Sequence, residues 1–324
     1  MVLTDTIRIE APFYDIRGKH DEQYNIVVPN GIELTLYAGF PGSPLNGGRP
    51  NALFGDVRAN DPSSRRAIQQ DFLEAIPVLN KQGIAVYMAY TNYFCDPEFL
   101  EDLEFSKSVQ TLARTQPTND LRNGIIVANH NTEKRVRELG EGEIDVALSC
   151  TAFFNKDMPE VSFFDSRRQL IDLEERARIY QKAAKKYDHV FLIPSDSHNL
   201  ELQDLLKDKS DFSVLVNSRC GKECDSYNHY ADDNVRNILL CADLSPTRRR
   251  DYEIFQENFK FRMHYCLGID STTLQRDTGN LLKQGFRNFK IGRMKSRWPM
   301  SGTKIGKEDL QTVLHAIEKW RRGK

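Results

Sequence analysis

The chain has 324 residues, and its 45 Lys and Arg against 46 Asp and Glu leave a formal net charge of −1, so no global field draws it to nucleic acid or to an anionic membrane. At 40% hydrophobic and 28% charged, with 13 Pro and 19 Gly, the composition is that of a globular protein with a large core, which excludes a disordered or collagen-like chain. No apolar run approaches the roughly 18 residues of a membrane span, and Met1-Val2-Leu3-Thr4-Asp5 lacks the basic-then-apolar pattern of a leader, so the expected location is cytoplasmic, with no membrane partner.

Residues 1–32 are polar and rich in turn formers and read as an N-terminal extension. Residues 33–40 then have the β-branched and aromatic content of a strand, and residues 41–50, with their prolines and glycines, form a loop. Over residues 64–82 Ile68, Phe72, Ala75, Ile76 and Leu79 recur at helical spacing, and Gly83 follows at the C-cap position. Residues 84–90 are nearly continuous in apolar character, as in a strand covered on both faces. Further strand-like runs stand at 124–128, 145–149, 189–194, 212–216, 237–241 and 289–291, with helical stretches at 133–139, 173–186 and 200–206. The last stretch, 307–321, carries Leu310, Val313, Leu314, Ile317 and Trp320 on one helical face.

About eight strands at these intervals predict an α/β fold, a TIM-type (β/α)8 barrel in a single domain with insertions. Its expected parts are the extension at 1–32, a barrel carrying a cysteine cluster at 33–306 and a C-terminal helix at 307–324. A doubly wound open sheet is the alternative, but no strand leads into a G-x-G-x-x-G turn.

In a barrel, chemistry gathers just past the C-terminal ends of the strands. Those positions are polar here: Asn46, Gly47, Gly48 and Arg49; Thr91 and Asn92; Asn129 and His130; Cys150, Thr151 and Asn155; Ser195, Asp196 and His198; Asn217, Ser218 and Arg219. Amide side chains both donate and accept without fixing charge, which suits a polar ligand met from several strands at once. Taken singly, each Asn reads equally well as a helix cap or turn residue. The two glycines of Asn46-Gly47-Gly48-Arg49 permit close backbone approach, so this loop is expected to line the largest pocket with Arg49 pointing inward.

Six cysteines are too few for a disulfide scaffold in a chain of this length. Cys220-Gly221-Lys222-Glu223-Cys224 opens a group that Cys241 and Cys266 continue, with Cys95 and Cys150 standing apart. Four thiolates suit a tetrahedral zinc or an iron-sulfur cluster. Radical chemistry on S-adenosylmethionine would need another Cys where Tyr227 stands. Zinc ribbons pair two C-x2-C knuckles, whereas Cys241 and Cys266 are single, which favours a cluster set among barrel loops. The plain alternative is that Cys241 closes a strand and Cys266 is a small buried hydrophobe.

Residues 284–296, Q-G-F-R-N-F-K-I-G-R-M-K-S, resemble the signature of the collagenase-like peptidase family, family U thirty-two, in which a helix ending in Gly leads to a strand reading K-I-E-G-R-M-K-S. Upstream segments resemble the same family in order: 123–129 with Arg137-Glu138-Leu139, then 147–152, then 189–195 with Leu200-Glu201-Leu202, then 212–220. The similarity spans about residues 80–298. It implies a TIM-type barrel in which Cys220, Cys224, Cys241 and Cys266 match four cysteines that in several branches carry a four-iron four-sulfur (4Fe-4S) cluster. Those branches serve oxygen-independent hydroxylation or modification of tRNA and rRNA, some with prephenate, while older members carry the peptidase label. Lys290, Arg293 and Lys295 match the basic positions of the terminal motif. The chain departs from the pattern in four ways: three residues and not six lie between the first two cysteines, no Glu separates Ile291 from Gly292, Asn217 stands where many members have His, and the loop at 42–49 is unlike the family's opening. These differences point to a divergent branch with its own substrate.

Three functions follow. The first is an iron-sulfur enzyme, a hydroxylase or similar modifying enzyme acting on a polar small molecule or nucleotide, with Arg49, Arg293 and Lys295 binding carboxylate or phosphate. The second is a peptidase with Cys150 and His130 or His198 as a nucleophile pair, although H-E-x-x-H and G-x-S-x-G are both absent. The third is a non-catalytic, cluster-carrying partner in a homo- or hetero-oligomer. Arg248-Arg249-Arg250, Arg262, Arg297, Trp298 and the tail Trp320-Arg321-Arg322-Gly323-Lys324 offer phosphate and base contacts for RNA or DNA, a secondary reading beside the near-neutral total.

Overall fold

The computed structural model describes residues 6–13, 28–47, 62–94, 96–155, 157–164, 170–219, 234–235, 238–239, 241–258, 267–292 and 302–323. Its strands are β1 (Ile7–Pro12), β2 (Ile32–Ala38), β3 (Ala85–Tyr90), β4 (Gly124–Val127), β5 (Asp145–Leu148), β6 (His189–Phe191), β7 (Phe212–Leu215), β8 (Ser218–Arg219), β9 (Leu267–Gly268) and β10 (Asn288–Lys290). Eight of them are parallel and close into a barrel in the order β1-β10-β7-β6-β5-β4-β3-β2. The helices are α1 (Pro62–Lys81), α2 (Pro97–Leu100), α3 (Leu103–Arg114), α4 (His130–Gly140), α5 (Leu173–Ala184), α6 (Leu200–Leu205), α7 (Pro246–Asn258), α8 (Ser271–Gln284) and α9 (Gly302–Arg322). This is the expected single (β/α)8 barrel.

The strands alternate in character, and the alternation builds the layers. Ile7, Ile9, Leu34, Leu36, Val86, Ile125, Val146, Val190, Val214 and Phe289 face outward and meet Phe72, Phe105, Val136, Tyr180, Leu274 and Val313 of the helices in one continuous core. Register keeps that face unbroken, with Ile9 beside both Leu34 and Phe289. Burying a side chain of this size is worth roughly 1.5–3 kcal/mol. Side chains of Asp102, Asn129, Asp172 and Asp270 accept from backbone N–H groups of α3, α4, α5 and α8, satisfying donors that a helix start leaves over. Gly285, at φ 105°, ends α8 where a side chain would be strained.

Two expectations change. Residues 7–12 form a barrel strand, so the barrel begins before the expected boundary at residue 33 and this part of 1–32 is no extension. Its inward positions, Arg8 and Glu10, are charged, which hides the strand from a search for apolar runs. The run at 237–241, read as a strand, holds helical residues at 238, 239 and 241, and the Ala242 N–H donates to the Ile238 carbonyl at 2.9 Å. A short apolar run does not by itself distinguish a strand from a buried helical turn.

The segment between β7 and β10 is an insertion over the C-terminal end of the barrel. It leaves and returns through an antiparallel ladder in which Ser218 pairs with Gly268 and Arg219 with Leu267. It then reaches the far wall, since β3 stands four places from β7 in the ring of eight. There the Asn92 amide donates to the Asn234 carbonyl at 3.2 Å, and Arg65 donates to the Cys241 carbonyl at 3.0 Å. Phe255 of α7 meets Phe94 edge to face at 5.1 Å, and Arg248 pairs with Asp96 and Glu98.

Candidate functional site

The asparagines at the strand ends turn to the backbone. Asn46 donates to the Phe40 carbonyl at 2.6 Å, and Asn92 donates to the Pro44 carbonyl at 2.8 Å. Asn129 caps α4, accepting from the N–H groups of Asn131 and Thr132 at 2.8 and 3.1 Å while donating to the Tyr93 carbonyl. Asn217 donates to the Gly292 carbonyl and to Asp309, both at 2.8 Å, and accepts from the Gly292 N–H at 2.7 Å, tying β7, the end of β10 and α9 together. Their shared position reflects how loops are fastened to a barrel rim.

Gly47 makes the close approach its type suggests, toward its own chain: its N–H donates to Thr91 Oγ1 at 3.2 Å, and a Cβ there would lie 2.2 Å from the Thr91 carbonyl oxygen. His130 opens α4 with its side chain 59% exposed and 3.7 Å from Glu133, and His198 ends a short 3-10 turn. Gly48, Arg49, Arg293, Lys295, Cys220, Cys224 and Cys266 lie outside the described residues, and with them the expected inward Arg49.

The inner face of the barrel carries charged and polar side chains on either side of an apolar cluster of Ala85, Ile126, Ala147 and Phe191. At the N-terminal end Arg8 donates to Glu33 at 3.2 Å and to the Tyr87 hydroxyl at 3.4 Å, and it contacts His189. The Tyr87 hydroxyl donates to Asp145 at 2.6 Å, and His189 stands 3.7 Å from the same carboxylate. Burial pushes the Tyr87 hydroxyl well above its ordinary range. For Asp145, burial alone would raise the pKa. The Tyr87 hydrogen bond, the nearby His189 ring and the charge of Arg8 outweigh it and hold the carboxylate below its ordinary value.

Midway along the lumen Glu10 is 1% exposed and accepts from the Ser213 hydroxyl at 2.7 Å, while its second oxygen, Oε2, has no hydrogen-bond partner. Register places Glu10 between Thr35, whose buried hydroxyl also has no partner, and Lys290. At the C-terminal end the Lys290 ammonium lies 3.9 Å from the centre of the Phe191 ring and 4.5 Å from that of Tyr37. The Tyr37 hydroxyl donates to the Ile291 carbonyl at 2.7 Å, and partly buried Ala89 and Cys150 pack at the same level.

Of these lumen residues the sequence points to Cys150 at a strand end and to Lys290 through the resemblance, and passes over Arg8, Glu10, Tyr87, Asp145 and His189. The signal was the period-two text Ile7-Arg8-Ile9-Glu10 and Ile32-Glu33-Leu34-Thr35-Leu36-Tyr37, apolar toward the helices and polar toward the axis.

Of the four candidate metal ligands only Cys241 is described. It is buried in the insertion with its carbonyl held by Arg65, and burial pushes its thiol up to about 11, with Arg65 opposing the rise. It lies beside the start of α1, at the C-terminal end of the barrel. Among the described residues no group of three His, Cys, Asp or Glu side chains converges.

Fold and site thus define the class: a parallel α/β barrel with a polar lumen and an insertion across its C-terminal mouth. No family model matches the chain, and no curated protein matches it. Among the described residues no helix is long and apolar enough to cross a membrane.

Proposed function

We propose that this chain is an iron-sulfur enzyme of the kind its resemblance to family U thirty-two implies, carrying out oxygen-independent hydroxylation or a similar modification of a polar, anionic small molecule at the C-terminal mouth of the barrel. One observation carries the reading. The last pair of the β8–β9 ladder, beside the end of β7, is Arg219 with Leu267, and these are the residues next in sequence to the expected ligands Cys220 and Cys266. A cluster on these thiols would supply one-electron redox chemistry or an open iron position; zinc is the alternative occupant. The chain's own residues would bind and orient the substrate beneath the insertion, with Lys290 on the lumen side and Arg49, Arg293 and Lys295 as the expected further cations.

The arginines of the basic tract are engaged within the chain, which favours a small molecule over RNA or DNA. Arg248 pairs with Asp96 and Glu98, Arg249 donates to the Leu239 carbonyl, and Arg250 faces Glu253 and Glu257. In the tail, Arg321 donates to the Asn30 and Gly31 carbonyls and the Trp320 ring faces Arg287. A peptidase reading gains nothing from His130, which is mostly exposed and turned to Glu133.

Anaerobically purified protein is expected to be brown and to hold iron and sulfide in equal amounts. Cys220→Ala and Cys266→Ala should bleach it, and Cys95→Ala should not. Colourless protein with one zinc per chain would replace the cluster by a zinc site, and protein with neither metal would overturn the reading.

A further inference from the structure

We infer that the cleft between the C-terminal half of α5 and the segment entering β7 binds a small phosphate ester that carries hydroxyl groups. The cleft lies on the outside of the barrel at its N-terminal end, since α5 leads into β6 there and the segment before Phe212 leads into β7. It is therefore a second site, away from the mouth proposed for catalysis, and the inference does not rest on that proposal.

The cleft has a volume of about 490 Å³, within the range of roughly 300–1,000 Å³ in which small-molecule sites fall. Arg178, Gln181, Lys182 and Lys185 follow one another at i, i+3, i+4 and i+7, so one side of α5 forms a basic wall. Lys207, Asp208 and Asp211 line the cleft from the segment that joins α6 to β7. Gln181 donates to the Leu205 carbonyl at 3.0 Å and ties the two walls together. The last turn of a helix favours cations, which accounts for Lys182 and Lys185 taken singly. It does not account for Lys207, which comes from another element and faces the same space. The carbonyl end of α5 would itself repel an anion, so the side chains and not the backbone must carry the binding.

The charges of the cleft are not spent on one another. Arg178 is paired with Glu175, but among the described residues Lys182, Lys185 and Lys207 form no ion pair, and neither does Asp208 or Asp211. Cations and carboxylates thus share one cleft without meeting. A ligand that spans them satisfies both, with an anionic group toward the lysines and hydroxyl donors toward the aspartates. The Asp211 carboxyl is pushed above its ordinary value by burial and by the charge of Asp208, with His189 opposing. Donation from a hydroxyl relieves that tension, whereas a second anionic group on the ligand would add to it. The order of charges therefore selects a phosphate ester of a polyol over a dicarboxylate or a bare phosphate.

The test uses the full-length protein, with ribose 5-phosphate and inorganic phosphate as probes and chloride at matched ionic strength as control. Amine acetylation at each lysine is followed by mass spectrometry. Lys182, Lys185 and Lys207 are expected to be protected together, about tenfold when ribose 5-phosphate stands at ten times its dissociation constant, while the exposed Lys134 on α4 and Lys283 on α8 are unaffected. Inorganic phosphate should protect the same three lysines more weakly, and the margin between the two probes should shrink in Asp211→Ala. All these side chains are exposed, so the variants should fold. In Lys182→Gln/Lys207→Gln, read at Lys185, the dissociation constant of ribose 5-phosphate should rise about tenfold. Four results would overturn the inference: protection no greater than chloride gives, equal protection by inorganic phosphate, an unchanged margin in Asp211→Ala, or an unchanged dissociation constant in the double lysine variant. Iron and sulfide content do not enter these readouts, so failure here leaves the cluster proposal standing and failure of the cluster leaves this site standing.

Discussion

The two ends of the barrel lumen both carry charge, and they treat it in opposite ways. At the N-terminal end Arg8 is held by Glu33, Tyr87 and His189, and Asp145 by Tyr87, His189 and, at 3.9 Å, Arg122. Every charge there answers another within the chain, and the network closes the floor. At the C-terminal end Lys290 is set between two rings, and Glu10, one register step away, keeps an oxygen without a partner. A charged residue on a barrel's inner face is thus no sign of function by itself.

The largest expected effect comes from breaking the closed end. Arg8→Met leaves Glu33 and Asp145 without their shared cation and should cost about 3 kcal/mol in urea unfolding, the range for removing one partner of a buried charge network. Lys290→Met, whose side chain lies over the Tyr37 and Phe191 rings that a thioether also packs against, should cost less than Arg8→Met. Equal losses in the two variants would erase the distinction between the ends.

Next in size is a pH effect confined to the closed end. Asp145 is held below its ordinary value, so it contributes stability that is complete above the unfolded carboxylate value of about 3.9 and fades as pH falls through its lower folded value. Glu133, held down by Lys186, Tyr187 and Arg137 against the opposing effect of burial, acts in the same direction. The urea midpoint should therefore be flat to about pH 5 and fall below about pH 4. Tyr87→Phe removes the 2.6 Å bond to Asp145, should cost about 1–2 kcal/mol at pH 7 and should make the acid fall shallower. An unchanged acid limb would place the titration elsewhere.

Asn217→Ala sharpens the comparison from the other end. It removes three hydrogen bonds that fasten β7, Gly292 and α9, and about 2 kcal/mol of stability should go with them. The smallest effect is expected from Arg248→Met. Its pairs with Asp96 and Glu98 are partly exposed and worth about 1 kcal/mol, yet amide exchange in α7 should quicken, as it should for the wild type at high salt.

Much of the scaffold was legible because it is written in local text. The apolar run at 84–90 and the helical spacing from Ile68 to Leu79 are repeated by the structure almost residue for residue, since both depend only on neighbours in sequence. β1 escaped notice because two of its six side chains are charged, and the partners that offset those charges are distant: Glu33 is 25 residues from Arg8 and His189 is 181 away. The rim asparagines misled for a different reason. An Asn that fastens a loop and one that grips a ligand have the same letter and the same strand-end position, and only the direction of the amide separates them, as Asn217 does by turning to Gly292 and Asp309. The ladder pairing Arg219 with Leu267 was not legible, because two-residue strands carry almost no pattern.

Diffraction from anaerobically grown crystals across the iron absorption edge tests the central claim most directly. The account expects a single compact anomalous peak bounded by the sulfurs of Cys220, Cys224, Cys241 and Cys266, at the C-terminal mouth on the same side of the barrel as Lys290. No peak at the iron edge, or iron bound at the Arg8–Asp145 end of the lumen, would contradict it.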